Sequence, residues 1–345
     1  MVSIKDIARA CAVTPSTVSR ALNRRAGVSD KVREQILNKA RELGYRRHEA
    51  AASLVTAQSP HIGLVIPDIV NPYYALMAKG VTAYAAAHGF TTILCNADRD
   101  ANRERSAFER LCAARVAGVI VASVTATEKM LGIFRDYGIP VVAAENPLGP
   151  DITAVCNDNY AGACQLFEHL MAQGCERLVF ATSLHSAFSS SERERACHDV
   201  LKAHGMSHKL IATLKIGSTF EEGYAGMEEI LSYKPDAIFA INDLMALGML
   251  SYAQEHGIAI PKSVKLAGFD DLPLSSMVSV PLTTVHQRKI QLGIKAAEVL
   301  LHEIEHPQSE PSRIMLLPYL VKRASLGESY TRFGGAKQDF KRDFE

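Results

Sequence analysis

The apolar positions of this chain change rhythm near residue 60. Before that point they recur at helical spacing; after it they gather into short β-branched runs set between helical stretches. Ile4, Ile7, Ala8 and Cys11 predict a first helix, with Ser3 as a suitable N-cap. Ala12-Val13-Thr14 interrupts it. Thr14 can then cap a second helix over Pro15–Leu22, in which Pro15 takes the first position, where a missing N–H costs nothing. Val18, Ala21 and Leu22 face inward in that helix. A third is expected after Ser29, another suitable cap, and runs to about Leu43. Val32, Ile36, Leu37, Ala40 and Leu43 form its inner stripe, and Gly44 stops it.

From His61 the strand candidates are Ile62–Ile66, Thr91–Leu94, Gly118–Val121, Val141–Ala143, Leu178–Ala181, Ala237–Ile241 and Val264–Gly268. Helices are expected between most of them, as at Tyr73–His88, Asn102–Arg115, Ala161–Ala172 and Asp243–His256. Alternation of this kind predicts parallel α/β sheets with ligands at the strand ends. The length of this body suits two such lobes.

Composition sharpens the picture in three ways. With 48% apolar and 22% charged residues over 345, the chain can bury a sizeable core, and global disorder is excluded. No run approaches the roughly 18 apolar residues of a membrane span, and Met1–Ile7 does not read as a secretory signal. The seven cysteines are odd in number and lack C-x-x-C spacing, as expected of reduced thiols acting as small apolar side chains in the cytoplasm.

Charge is the more telling quantity. The whole chain sums to +1, yet residues 1–60 hold eleven Lys/Arg against five acids, a balance of +6 that leaves −5 for the remainder. A small basic module with a polyanionic partner is therefore expected on a mildly acidic body. The outer face of the second helix carries Ser16, Thr17, Ser19 and Arg20. Short side chains let a helix lie deep in a major groove, hydroxyls suit phosphate oxygens, and Arg20 can reach a guanine edge with two hydrogen bonds.

The run Ile4-Lys5-Asp6-Ile7-Ala8, then Val13-Thr14-Pro15-Ser16-Thr17-Val18-Ser19-Arg20-Ala21-Leu22-Asn23, then Val28-Ser29 and Ala40-Arg41-Glu42-Leu43-Gly44-Tyr45, resembles the headpiece of the lactose-repressor (LacI/GalR) family. The resemblance implies that Pro15, Ser16 and Arg20 read bases, while Thr14, Thr17, Ser19 and Asn23 contact phosphates or support the docked helix. It also implies that residues 46–60 form a hinge helix. There Leu54 would wedge into the minor groove and kink the duplex, with Ala51 as a small packing position. Arg47, His48 and Ala52 depart from the family's proline, asparagine and arginine. This removes polar groove contacts, which the pair Arg46-Arg47 could replace at phosphates.

The body resembles the family as well, whose core is like a periplasmic sugar-binding protein. The matching stretches include Ile62–Tyr74, Gly118–Val121, Asn157–Ala163, Asn242–Gly248, Gly268–Asp271 and Leu282–Gln287. The fold implied is a small all-α helix-turn-helix headpiece (1–45), the hinge (46–60), an α/β core of two doubly wound parallel-sheet lobes (61–326) and a flexible tail (327–345). The first lobe would take about 61–158 and 287–312, and the second 159–286 and 313–326, with crossings near Asn159, His286 and Arg313. By the same resemblance Tyr73, Tyr74, Glu145, Arg193, Asn242 and Asp270 bind an effector. Asn242 and Asp270 would meet its hydroxyls or ring atoms, and Arg193 suits a carboxylate or a vicinal diol. Asp158, Asp243 and Asp271 suit helix caps and turn braces better than ligand contacts. Arg193 could equally share a solvated face with Arg195, Tyr74 could be core, and His185 is a weaker additional contact.

Other chemistry finds little support. His302-Glu303-Ile304-Glu305-His306 matches H-E-x-x-H, but Pro307 puts the second histidine at a helix end, which reads as wet surface rather than a zinc site. No dinucleotide, Walker or nucleophile-elbow motif appears, and Phe188-Ser189-Ser190-Ser191 reads as a loop or helix start. No catalytic residue, metal or cofactor is expected. Without leucine heptads in the tail, a homodimer is the expected state, because two headpieces read an inverted repeat. The reading is a ligand-responsive transcriptional repressor on operator DNA, tuned by a sugar, sugar acid or related metabolite. A sugar carrier without DNA function and a metal-dependent hydrolase are the alternatives.

Overall fold

The computed structural model describes residues 2–22, 26–45, 59–184 and 187–329. The hinge stretch with Arg47, His48, Ala51, Ala52 and Leu54 lies outside the described residues, as do Asn23, His185 and the tail from Tyr330. The chain divides into two units, Met1–Gln58 and Ser59–Glu345.

The first unit holds three helices, α1 (Ile4–Ala10), α2 (Pro15–Leu22) and α3 (Asp30–Glu42). Ser3 and Asp6 form a reciprocal capping box on α1. Ala12 turns the chain with a left-handed φ of 53°, and the Thr14 hydroxyl accepts the Thr17 N–H at 3.2 Å to cap α2. Ser29 precedes α3 but makes no side-chain cap bond; the expected cap is absent, and Asp30 supplies the favourable charge in the first turn. At the other end Gly44 takes φ 66°. The N–H of Tyr45 then reaches the Ala40 carbonyl at 2.8 Å and that of Gly44 reaches Arg41 at 3.0 Å, a Schellman closure. Ile7, Ala8, Val18, Ala21, Ile36 and Ala40 make the small core, with Val32, Leu22 and Leu43 packed at its border.

The second unit is two α/β lobes. In the first, β1 (His61–Ile66), β2 (Thr91–Asn96), β3 (Gly118–Ala122), β4 (Val141–Ala144), β5 (Thr153–Asn157) and β11 (Arg313–Leu316) form one sheet in the order β11-β5-β4-β3-β1-β2, every pairing parallel. In the second, β6 (Leu178–Thr182), β7 (Leu210–Lys215), β8 (Ala237–Ala240) and β9 (Lys265–Ala267) run parallel in the order β7-β6-β8-β9. The antiparallel pair β10 (Thr284–His286) and β12 (Tyr319–Val321) continues beyond β9 through the bridge from Ala267 to Thr283. Each strand candidate forms within two residues of its expected ends.

One expected boundary changes. The stretch 313–316 belongs to the first lobe, because Arg313–Leu316 pairs in register with Ala154–Asn157. The apolar run ends at Leu317-Pro318 instead of starting a new lobe at Arg313, so the third crossing lies between β11 and β12. The tail boundary shifts too: Glu328 is tied to His169 and to Gln173 of the second lobe. Among the described residues no helix is long and apolar enough to cross a membrane.

Both faces of the first sheet are covered. Ile62, Leu64, Ile66 and Ile120 pack under the helices Pro72–Ala87 and Lys289–Glu305, while Val65, Val119, Phe108 and Phe134 fill the opposite side. The two helices approach backbone to backbone. A Cβ on Gly80 would lie 2.1 Å from the Ile290 carbonyl oxygen, and one on Gly293 would lie 2.1 Å from that of Met77. The second lobe repeats the device at Gly223 and Gly248, with virtual contacts of 2.1 and 2.0 Å to the carbonyls of Met245 and Phe220. Backbone cannot step aside as a side chain can, so overpacking here costs at least the usual ~1–3 kcal/mol. Gly293→Ala is expected to lower the urea midpoint accordingly, with the denaturant slope unchanged; an unaltered midpoint would mean that the helices have slack.

Candidate functional site

In the helical unit, burial of Val18 and Ala21 turns the opposite face of α2 outward. Pro15, Ser16 and Arg20 are exposed, and Thr17 and Ser19 are half-buried. The Thr14 hydroxyl lies 2.8 Å from that of Ser16 and 2.9 Å from that of Thr17, a small fixed cluster of hydroxyls at the helix N-terminus. Arg33 donates to the Ala21 and Val28 carbonyls at 3.3 Å each, which holds the end of α2 against α3. The result is a rigid, mostly short-chained surface with one long cation at Arg20.

In the two-lobed unit, Tyr73, Tyr74, Glu145, Arg193, Asn242 and Asp270 all line one cavity between the lobes, of about 70 Å³. The chain reaches this arrangement through backbone turns that follow strands. Glu145 directly succeeds β4 at φ 72°, and Asp270 follows β9 at φ 126°, both on the left-handed side that non-glycine residues rarely take. Asn71 caps the helix Pro72–Ala87 and so sets the first turn, which carries Tyr73 and Tyr74. Asn242 caps the helix Asp243–Glu255 by accepting the Met245 N–H, and its Nδ2 donates to the Ser218 carbonyl at 2.9 Å. Arg193 rises from the helix Phe188–Ala203, whose start is the serine run.

Arg193 is the centre of the site and is 5% exposed. Its Nε donates to Asn159 Oδ1 at 2.9 Å and its Nη1 to the Ile241 carbonyl at 2.6 Å, and the guanidinium lies 3.8 Å from the centre of the Phe269 ring. The remaining nitrogen, Nη2, stands 4.0 Å from Glu145 Oε1 of the first lobe and 4.0 Å from Asp270 Oδ1 of the second. Glu145 also accepts the Tyr73 hydroxyl, which in turn accepts from Asn157 Nδ2 at 3.2 Å. Asp270 accepts from Gln287 Nε2 at 2.6 Å.

Burial governs the charge state. It pushes the Asp270 carboxyl up to about 8 even with Arg193 alongside. It raises Glu145 as well, opposed by Arg193 and by the hydrogen bonds from Tyr73, Asn157 and Asn159. The Tyr73 and Tyr74 hydroxyls are driven well up by burial and then by Glu145, so they stay neutral donors.

The neighbouring aspartates serve as braces. Asp158 caps the helix Asn159–Ala172 through the Ala161 N–H at 2.9 Å. Asp243 accepts from Leu272 N, Ser275 Oγ and Thr284 Oγ1 at 2.6–2.9 Å. Asp271 takes Arg323 at 2.6 Å and His286 at 2.8 Å; burial would raise its carboxyl, but the His286 hydrogen bond and then Arg323 hold it well below the usual range. The buried Lys289 ammonium donates to the carbonyls of Asp270, Asp271 and Gln287 at 2.6–3.1 Å. This polar mesh fixes the β9–β10 side of the cleft.

Asn71, Arg99 and Ser218 line the cavity too, as do Ser189 and Ser190 of the run read as a loop or helix start, and none of the five was expected at the site. The signal available for each was its place just after a strand or at a helix start. Larger hollows of about 490 and 800 Å³ flank the end of the helix Lys289–Glu305 and share no lining residue with the cleft. There His302 and His306 stack with ring centres 4.4 Å apart, and no cluster among the described residues could hold a metal ion.

Comparison with known proteins fits this geometry. Residues 3–48 match the family model for bacterial regulatory proteins of the lacI family, and residues 59–324 match that for periplasmic binding proteins and the sugar-binding domain of the LacI family. The ribose operon repressor of Halalkalibacterium halodurans is 31% identical, over 94% of this chain and 96% of its own. The structure of the lac repressor dimer bound to operator and an anti-inducer is 24% identical and superposes with a TM-score of 0.85, over 94% of this chain and 99% of that one. A LacI family regulator from Enterococcus faecalis with bound ribose is 29% identical, with a TM-score of 0.72 over 77% of this chain and 98% of its own. The chain belongs to the LacI family of bacterial regulatory proteins, with the helix-turn-helix unit as its DNA-binding part and the two-lobed unit as its effector-binding part.

Proposed function

We propose that this chain is a cytoplasmic repressor that binds an inverted-repeat operator as a homodimer, and that a small neutral sugar between its lobes sets its hold on DNA. The observation that carries the effector assignment is the balance around Arg193. Arg193 Nη2 stands 4.0 Å from Glu145 Oε1 and 4.0 Å from Asp270 Oδ1, so an incoming carboxylate or phosphate would meet two acidic side chains beside the guanidinium. Hydroxyls, in contrast, can exchange hydrogen bonds with both carboxyls, with Arg193 Nη2 and with Asn242. The likeness to the ribose repressor and to a ribose-bound regulator supports a pentose.

On the DNA side, Arg20, Pro15 and Ser16 are assigned to base edges and Thr14, Thr17 and Ser19 to phosphates. One headpiece reads one half-site, so a palindrome needs two chains. The likeness to an operator-bound dimer supports that assembly. Asn23 and the Leu54 wedge lie outside the described residues and rest on the sequence resemblance alone.

D-ribose is expected to raise the melting midpoint of the full-length protein, because a ligand that binds only the folded state stabilises it. D-ribonate and D-ribose 5-phosphate are expected to leave the midpoint in place. A shift with the anions alone would overturn the neutral-sugar assignment. Arg20→Ala should weaken binding to a footprinted operator by about 1–3 kcal/mol, roughly fivefold to 150-fold, while leaving the ribose response intact.

The raised Asp270 carboxyl has a signed consequence. Between the ordinary value of 3.8 and about 8 the folded chain holds a proton that the unfolded chain has released. This contribution to stability is therefore fully present at low pH and is lost as pH rises through 8. Thermal melts from pH 6 to pH 9 should show a falling midpoint whose slope is reduced in Asp270→Asn; an Asp270→Asn profile parallel to wild type would contradict the assignment.

A further inference from the structure

The lobes are joined by three chain crossings, after β5, after β10 and after β11. All lie on one side: β5 and β11 form one edge of the first sheet, and β10 and β12 extend the β9 edge of the second. The opposite edges are β2 and β7. Arg99 follows β2, Ser218 follows β7, and Arg99 Nη1 donates to Ser218 Oγ at 2.5 Å across the lobes. This bond joins the lobes on the side of the sheets opposite the crossings.

The surroundings are built to hold it. Asp98 and Arg99 both adopt left-handed backbone, with φ of 50° and 56°, in a turn secured by the Arg99 N–H on the Pro67 carbonyl at 2.9 Å and by an ion pair between Asp98 and Arg103. The second Arg99 nitrogen, Nη2, lies 3.8 Å from Asp68 Oδ2 of its own lobe, which leaves Nη1 as the arm that reaches across. On the far side Glu222 accepts the Ser218 and Thr219 N–H groups at 2.7 and 2.9 Å. Burial would raise its carboxyl, but those bonds, and Arg99 among its neighbours, hold it below the ordinary value. A cation of the first lobe thus meets a hydroxyl backed by an anion of the second.

We propose that Arg99 is a positioning residue for effector retention: a clasp that shuts the cleft from its mouth and must let go for a sugar to enter. The clasp deepens the effector reading and rests on it for its purpose, but its test needs no ligand, so either can fail without the other. The Ser189 amide serves as reporter, since its N–H is bonded across the lobes to Asn146 Oδ1 at 3.1 Å and is freed when they part. The Ile241 amide, bonded to Ala181 inside the second lobe, is the control.

In hydrogen–deuterium exchange on the full-length protein without sugar, Arg99→Ala and Ser218→Ala should each speed exchange at Ser189 about fivefold, the scale of one partly exposed charge-assisted hydrogen bond. The double variant should be no faster than either single one, Arg99→Lys should restore most of the protection, and the Ile241 amide should not change. Unchanged exchange at Ser189, additive effects in the double variant, or equal acceleration at Ile241 would each overturn the clasp, the last by showing a general loss of stability.

Discussion

The core depends on placing one guanidinium out of water. A buried charge is tolerated only where fixed partners replace its hydration, and Arg193 receives them from both lobes: Asn159, Ile241, Asp270 and the Phe269 face on one side, Glu145 on the other. Several features that look separate follow from this demand. The left-handed turns at Glu145 and Asp270 bring two carboxyls to the same nitrogen. Burial favours the neutral form of Asp270, and the Tyr73 hydroxyl donates to Glu145. Under the function proposed above, sensing a sugar would be an exchange of hydrogen-bond partners around this cation, and both lobes supply those partners.

Around this centre the polar residues divide by role. Asp158, Asp243, Asp271, His286, Lys289 and Arg323 satisfy one another or nearby backbone. Asn157 and Gln287, at the ends of β5 and β10 where the chain passes between lobes, also touch the site through Tyr73 and Asp270. The crossings are therefore wired to the same hydrogen bonds that hold the carboxyls. A change at the cavity reaches the connecting segments with no intermediate layer.

Much of this was legible in the sequence, for identifiable reasons. The helical unit announces itself because its caps and stripe are local: Ser3 with Asp6, Thr14 with Pro15, Gly44 after Leu43. Most buried strands are short apolar runs and stand out for the same reason, although β5, equally buried, was not among the candidates. What stayed hidden is non-local or short. β7 is half-exposed along its length, and β10 and β12 have three residues each, so neither shows a periodicity. β11 becomes a first-lobe strand only by pairing with β5, more than 150 residues away. The six cleft residues were reached by resemblance, whereas Arg99 was not, because nothing in Asp98-Arg99-Asp100 distinguishes a side chain bound across the lobes from a surface charge. Ser29 shows the converse: a residue of the right type at a helix start without the bond.

The paired glycines bear on how such a molecule can move. Where two helices touch main chain to main chain, neither can slide or tilt without collision, so each lobe must travel as a stiff plate. Deformation is then excluded from the plates and concentrated in the few residues that pass between them. Under the function proposed above, a small ligand would thereby produce a displacement that grows with distance from those strands, the mechanical advantage of a lever with an unbending arm.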